Sequence, residues 1–397
     1  MKFKRIFVIV MDSAGIGAME DAPKFGDSLE YNTFKHVSEQ CGGLNIPNLE
    51  ALGIRDLGEV QGTKIVDHPH SFTMTLREAS NGKDTMTGHW EMMGIHTTKA
   101  FKTFTDTGFP KELIEELEVK TGRHVVGNYS SSGTEILVKL GEHQMKTGDL
   151  IVYTSSDSVL QIAAHEEIIP VPELYKCCEI AREICMKPEW LLGRIIARPY
   201  IGKDKNSFKR TSNRHDLALS PTGVTTMDIL KENGFDTVCV GKIGDIFNMV
   251  GVTETNKTVS NVDGMEKAIK IAKEKDFNGL CFVNLVEFDS EFGHRRDPKG
   301  YGKCFEIFDS QLGELLNSLK EDDLLMITAD HGNDPTAHGT DHTREQVPLL
   351  CYSKSIKNGC NISSRNSFGD IGATILKNFG LQKANNQIGK EIDELIK

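Results

Sequence analysis

Short apolar runs of Val, Ile and Leu alternate along this chain with longer stretches of helical spacing, and that alternation limits the folds open to it more than any other feature. The runs cover 6–11, 237–240, 280–286, 324–328 and 347–352. Near-continuous apolar character over so few residues is the pattern of strands buried on both faces, as in a parallel sheet. Helix-like stretches at 221–233, 265–275 and 301–319 lie between them, so the expectation is a doubly wound α/β core. Three runs end on residues able to do chemistry: Asp12 after the first, Asp289 shortly past Val286, and Asp330-His331 after Thr328. Open α/β sheets bind ligands at the carboxyl ends of their strands.

The middle of the chain reads differently. Short strands are expected at 135–138 and 150–153, and helices at 110–120 and 172–186. With 397 residues, the chain exceeds the roughly 250–300 at which one core stops growing. The division expected is a core of 1–100 plus 220–397, interrupted by an inserted α+β domain at 101–219.

Net charge of −11 argues against a nucleic-acid or anionic-membrane partner, because an acidic surface repels both. Nine scattered cysteines without a Cys-x-x-Cys pair suit reduced thiols in a cytoplasmic protein. The apolar start is too short for a signal-peptide core, since Asp12 ends it.

Near the C-terminus, Thr328-Ala329-Asp330-His331-Gly332-Asn333-Asp334 is followed by His338-Gly339-Thr340-Asp341-His342. Upstream, Asp289 and His294 share one turn. A lone buried histidine is ordinarily a hydrogen-bonded core residue, and a lone Asp at a strand end is ordinarily a helix cap. Asp12, Asp289, His294, Asp330, His331 and His342 together make up three carboxylates and three histidines at matching strand ends, enough ligands for two divalent ions. His338 and Asp341 are expected to support that set from behind.

The stretch Gly82-Lys83-Asp84-Thr85-Met86-Thr87-Gly88-His89-Trp90-Glu91 reads as a turn opening a helix. A hydroxyl there sits where amides and the helix dipole favour negative charge, so Thr85 is a candidate nucleophile, with a plain helix cap as the structural alternative.

This segment resembles the nucleophile segment of bacterial phosphopentomutases. Asp12-Ser13-Ala14-Gly15-Ile16-Gly17, the stretch from Thr154 to Gln161, Ala197-Arg198-Pro199, Asn213-Arg214-His215-Asp216, Gly241-Lys242-Ile243 and Asp330-His331-Gly332-Asn333-Asp334 resemble further segments of that family, in the same order. The resemblance implies an alkaline-phosphatase-like doubly wound core with an inserted cap domain over the site, and two manganese ions; spacing alone also admits zinc or magnesium. It implies that Asp289, His294 and His342 hold one metal, and that Asp12, Asp330, His331 and Thr85 hold the other. It also implies that Ser155, Asp157, Val159, Arg194, Arg210 and Lys242 meet the substrate.

The activity implied is interconversion of ribose 1-phosphate and ribose 5-phosphate, and of the deoxyribose phosphates, through a phosphothreonine and a bound 1,5-bisphosphate. A sugar bisphosphate such as glucose 1,6-bisphosphate would be the activator. The alternatives are a metal-dependent phosphatase or phosphoglycerate mutase of the same superfamily, or a phosphosugar sensor that keeps the ligands without needing Thr85.

Overall fold

The computed structural model describes residues 1–155 and 157–396; Ser156, which belongs to the 154–161 motif, and Lys397 lie outside the described residues. The chain divides into two compact units, Met1–Ala100 with Ser220–Lys397, and Phe101–Leu219.

In the first unit a seven-stranded sheet runs in the order Glu254–Asn256, Asp236–Val240, Gly279–Leu285, Arg5–Met11, Asp323–Thr328, Val347–Tyr352, Ser71–Leu76. The first five strands are parallel. Val347–Tyr352, expected to be a parallel strand, is antiparallel to both its neighbours, because its hydrophobicity reports burial and not direction. Ser71–Leu76 closes that edge although it was not among the expected runs. Its alternate positions are Ser or Thr, and all six residues are nevertheless buried.

The three strands that end on chemistry lie side by side in register, with Met11 opposite Leu285 and Val10 opposite Thr328. Arg5 helps to fix that register: it grips buried Asp323 through Nε and Nη2, at 2.8 and 2.6 Å, while Nη1 reaches carbonyls at the end of the Asn261–Glu274 helix. The helix expected over 221–233 begins only at Thr226, where Thr225 and Asp228 form a reciprocal cap.

The second unit is a six-stranded mixed sheet in the order Val125–Ser130, Leu150–Thr154, Val159–His165, Arg194–Ile201, Lys209–Arg210, with His215–Ala218 also paired to Arg194–Ile201. Side chains alternate between its faces. Val152, Leu160, Ile162 and Ile195 pack with the helices Lys111–Thr121 and Val171–Ile184, whereas Ile151, Tyr153 and Ala163 pack with the helix Gly133–Thr147. The strand expected at 135–138 is part of that last helix. Ser132 caps its start by accepting from the Glu135 amide at 3.2 Å, and Gly148 ends it in the left-handed conformation. The run Glu135-Ile136-Leu137-Val138 therefore contains one buried helix stripe, with Val138 facing solvent.

Candidate active site

Three buried carboxylates share one arrangement. Asp12 directly follows its strand, and its Oδ2 accepts from Asn284 Nδ2 at 2.8 Å. Asp330 lies just past Asp323–Thr328, and its Oδ1 accepts from the Ser13 amide at 3.0 Å. Asp289 lies in a short π-helix, Phe288–Gly293, and its Oδ1 accepts from Asn333 Nδ2 at 2.7 Å. In each case one oxygen is held by a donor and the other faces histidines. Asp289 Oδ2 is 3.0 Å from His294 Nε2 and 3.5 Å from His342 Nε2. Asp12 Oδ1 and Asp330 Oδ2 lie 3.5 and 3.4 Å from His331 Nε2; Asp12 Oδ1 is buried without a hydrogen-bond donor among the described residues, and Asp330 Oδ2 has His89 Nδ1 at 3.1 Å.

The histidines are oriented from behind. His331 Nδ1 is 3.0 Å from the Gly332 carbonyl and His294 Nδ1 is 2.6 Å from the Thr340 carbonyl. A carbonyl can only accept, so Nδ1 carries the proton and Nε2 presents its lone pair to the carboxylates. That is the tautomer a metal-binding imidazole uses. The donor atoms of Asp12, Asp330 and His331 fall within 4.8 Å of one another, as do those of Asp289, His331 and His342. His294 Nε2 closes the second set at 3.1 Å from His342 Nε2. The His331 and His342 rings, 4.0 Å apart between centroids, set the two groups next to each other.

Burial, reinforced by the charges of Asp330 and Asp289, pushes the Asp12 carboxyl well above the ordinary range. For Asp289 burial acts in the same direction, but His342 and His294 outweigh it and hold the carboxyl well below. Crowded buried carboxylates with open oxygens, facing imidazole lone pairs, are a donor set suited to divalent cations.

Thr85 is the first residue of the Thr85–Met92 helix, and the cap is Asp84, whose side chain accepts from the Thr87 amide at 3.1 Å. The structural alternative for Thr85 thus belongs to its neighbour. Asp84 also takes the Thr87 hydroxyl, at 2.6 Å, whereas the Thr85 hydroxyl lies 3.3 Å from His331 Nε2. Gly88 allows the close approach: a Cβ there would stand 2.1 Å from the Asp330 carbonyl oxygen.

Several residues at this centre were not singled out from the sequence. His89 Nδ1 is 2.8 Å from the Thr85 carbonyl, and its Nε2 is 3.3 Å from Asn284 Nδ2. Asn284 is the polar interruption in an otherwise apolar strand, which was its one sequence signal. Arg344, 2% exposed, donates to Glu78 and to the carbonyls of Ser80 and Gly82, tying the segment after His342 to the segment before Thr85. Of the two supporting residues expected, Asp341 pairs with Lys83 at 2.9 Å and its amide neighbour is His342, whereas His338 is exposed.

Most of the residues expected to meet substrate lie in the inserted unit. Asp157 and Arg194 pair at 3.1 Å, the half-buried Ser155 accepts from Thr105 at 2.8 Å, Val159 is buried at the start of its strand, and Arg210 is exposed. Lys242 belongs to the core, exposed just before the short helix Ile243–Ile246.

A model of the metalloenzyme superfamily matches residues 4–383. A phosphopentomutase of Clostridium botulinum is 58% identical over 393 residues, covering 99% of each chain. One from Clostridium tetani is 57% identical, again with 99% of each chain covered. Among solved structures, a Pyrococcus horikoshii protein shares the fold with a TM-score of 0.50 at 14% identity, over 96% of this chain and 99% of that one.

Proposed function

From its place in the phosphopentomutase family, to which this chain belongs, we propose that it moves phosphate between carbon 5 and carbon 1 of ribose or deoxyribose through a phosphorylated Thr85. It is an isomerase of the metalloenzyme superfamily with an alkaline-phosphatase-like α/β fold. One observation supports Thr85 above all: of the two threonine hydroxyls in the first helical turn, Thr87's is taken by Asp84 and Thr85's faces His331.

Asp12, Asp330, His331 and Thr85 would hold one manganese ion, and Asp289, His294 and His342 the other. When bound, the pair supplies positive charge that neutralises the transferring phosphoryl group and favours the Thr85 alkoxide. The phosphoryl group leaves Thr85 Oγ1 for the free hydroxyl of a pentose monophosphate, whose proton is released, and a 1,5-bisphosphate results. Its other phosphate then returns to Thr85. Position at the amino end of a helix favours the anionic side chain. Arg194, Arg210, Lys242, Ser155, Asp157 and Val159 are the substrate contacts in this reading. A phosphoenzyme lost to water needs a sugar bisphosphate, such as glucose 1,6-bisphosphate, to restore it. The setting is cytoplasmic; no helix among the described residues is long and apolar enough to cross a membrane.

Incubation with ribose 5-phosphate and Mn2+ is expected to yield ribose 1-phosphate, and mass spectrometry after treatment with the bisphosphate is expected to place phosphate on Thr85 and not on Thr87. Thr85→Ala should bind metal yet lose mutase turnover, with Thr85→Ser retaining part of it. Release of inorganic phosphate without ribose 1-phosphate would favour a phosphatase, and wild-type turnover in Thr85→Ala would remove the phosphothreonine.

A further inference from the structure

Within the inserted unit, polar groups converge without partners of their own. Tyr153 is 1% exposed, and its hydroxyl has no hydrogen-bond partner among the described residues. A methyl group on Gly133, the first residue of the Gly133–Thr147 helix, would come within 3.1 Å of that hydroxyl and 2.9 Å of Arg210 Nη1. The helix start, the phenol and the guanidinium therefore border one small space. Ser132 caps the helix through the Glu135 amide, which leaves the Gly133 and Thr134 amides without an acceptor among the described residues.

Charge in this neighbourhood does not balance. Asp157 is matched by Arg194 at 3.1 Å, and Asp216 is gripped by Arg214 through Nε and Nη2 at 2.6 and 2.5 Å. Arg198 spends only Nε, on the Gln161 side chain at 2.9 Å, and Arg210 forms no ion pair among the described residues. Two guanidinium groups are thus in excess, in a chain whose net charge is −11. Burial and then the neighbouring Arg214 and Arg210 charges press the Arg198 guanidinium below its ordinary range, a cost that a bound anion would relieve.

We propose that Tyr153, Arg198, Arg210 and the amino end of the Gly133–Thr147 helix form a binding pocket for a phosphate dianion. Two excess cations match its charge, a planar guanidinium fork matches its oxygens, and a helix amino end with free amides is an anion site in its own right. The mutase reading supplies only the identity of the carrier, a pentose monophosphate; Arg210 was already among its expected contacts, and Tyr153, Arg198 and the helix amides are additions to it.

The test uses metal-loaded enzyme with Tyr153→Phe and Gly133→Ala, titrated calorimetrically with ribose 5-phosphate and with inorganic phosphate. Tyr153→Phe removes a buried hydroxyl that has no partner, so its unfolding midpoint should equal or exceed that of the wild type. Gly133→Ala fills the space at a position where alanine suits a helix. Each is expected to weaken ribose 5-phosphate binding by about tenfold, with the loss carried by KM more than by kcat and metal content unchanged. Wild-type affinity for both ligands in both variants would overturn the pocket. If the wild type fails to convert ribose 5-phosphate yet inorganic phosphate binding falls in the variants, the pocket stands and the mutase reading falls. Normal turnover with unaltered binding in the variants has the opposite meaning.

Discussion

The two units carry unsatisfied polar groups of opposite kinds. In the core the open atoms are acceptors: Asp12 Oδ1 is buried without a donor among the described residues, Asp330 Oδ2 meets only histidines, and each carboxylate's second oxygen is held by a dedicated donor. In the inserted unit the buried open atoms are the Tyr153 hydroxyl and donor nitrogens of Gln144 and Arg182, while Arg198 and the exposed Arg210 have no ion pair among the described residues. Buried polar groups normally find partners within the protein, so the crowded carboxylate oxygens suit a cation and the Tyr153 hydroxyl suits an acceptor. On the two proposals above, a single chain would separate cation binding from anion binding, and an overall negative charge says nothing about the second.

The contrast breaks most visibly at Asp289. Asp289→Asn should cost turnover at least about a hundredfold and lower the metal content measured by elemental analysis, because an amide gives a hard cation less charge. Full occupancy with normal turnover would remove Asp289 from the site. Backing donors should matter less. Asn333→Ala frees Asp289 Oδ1, and an expected loss of about tenfold to a hundredfold in metal affinity, read by competition with a chelator, distinguishes an orienting role from a merely structural one.

On the other side of the comparison, Arg210→Ala should lower kcat/KM for ribose 5-phosphate by about tenfold or more and spare the metals. Equal metal loss in that variant would mean that the two regions are not chemically separate. The smallest expected effect is a pH dependence. In metal-free protein Asp12 has a raised folded value, so its contribution favours the fold at low pH and is lost as pH climbs from the ordinary carboxylate range through that value. Cation binding expels the proton, and the gain in unfolding midpoint on adding Mn2+ should grow with pH over that window. A gain as steep in Asp12→Asn would assign the effect to another group.

Much of the core was legible because a buried parallel strand announces itself by unbroken hydrophobicity, and a polar residue that interrupts or ends it has few reasons to be there. Asp12 and Asp330-His331 were visible on that ground. Strand direction was not, as Val347–Tyr352 demonstrates. Nor was the helix at Gly133–Thr147, where four consecutive residues fit a strand pattern and the decisive signals were its flanking Ser132 and Gly148. Asn333 and His89 stood inside recognised segments, yet their roles depend on partners 44 and 195 positions away, Asp289 and Asn284.

By itself the sequence determined the inventory: which carboxylates and histidines could become ligands, that Thr85 stands at a helix start, and where the strand-helix pattern changes. Those follow from residue type and from periodicity, which are local properties. Only the tertiary structure shows that Asp84 consumes the Thr87 hydroxyl while the Thr85 hydroxyl lies near His331. It also decided which oxygen of each carboxylate remains open and which arginines have no carboxylate to answer them. Both depend on distances between strands far apart in the chain, and a spacing along the backbone does not encode a distance across a sheet.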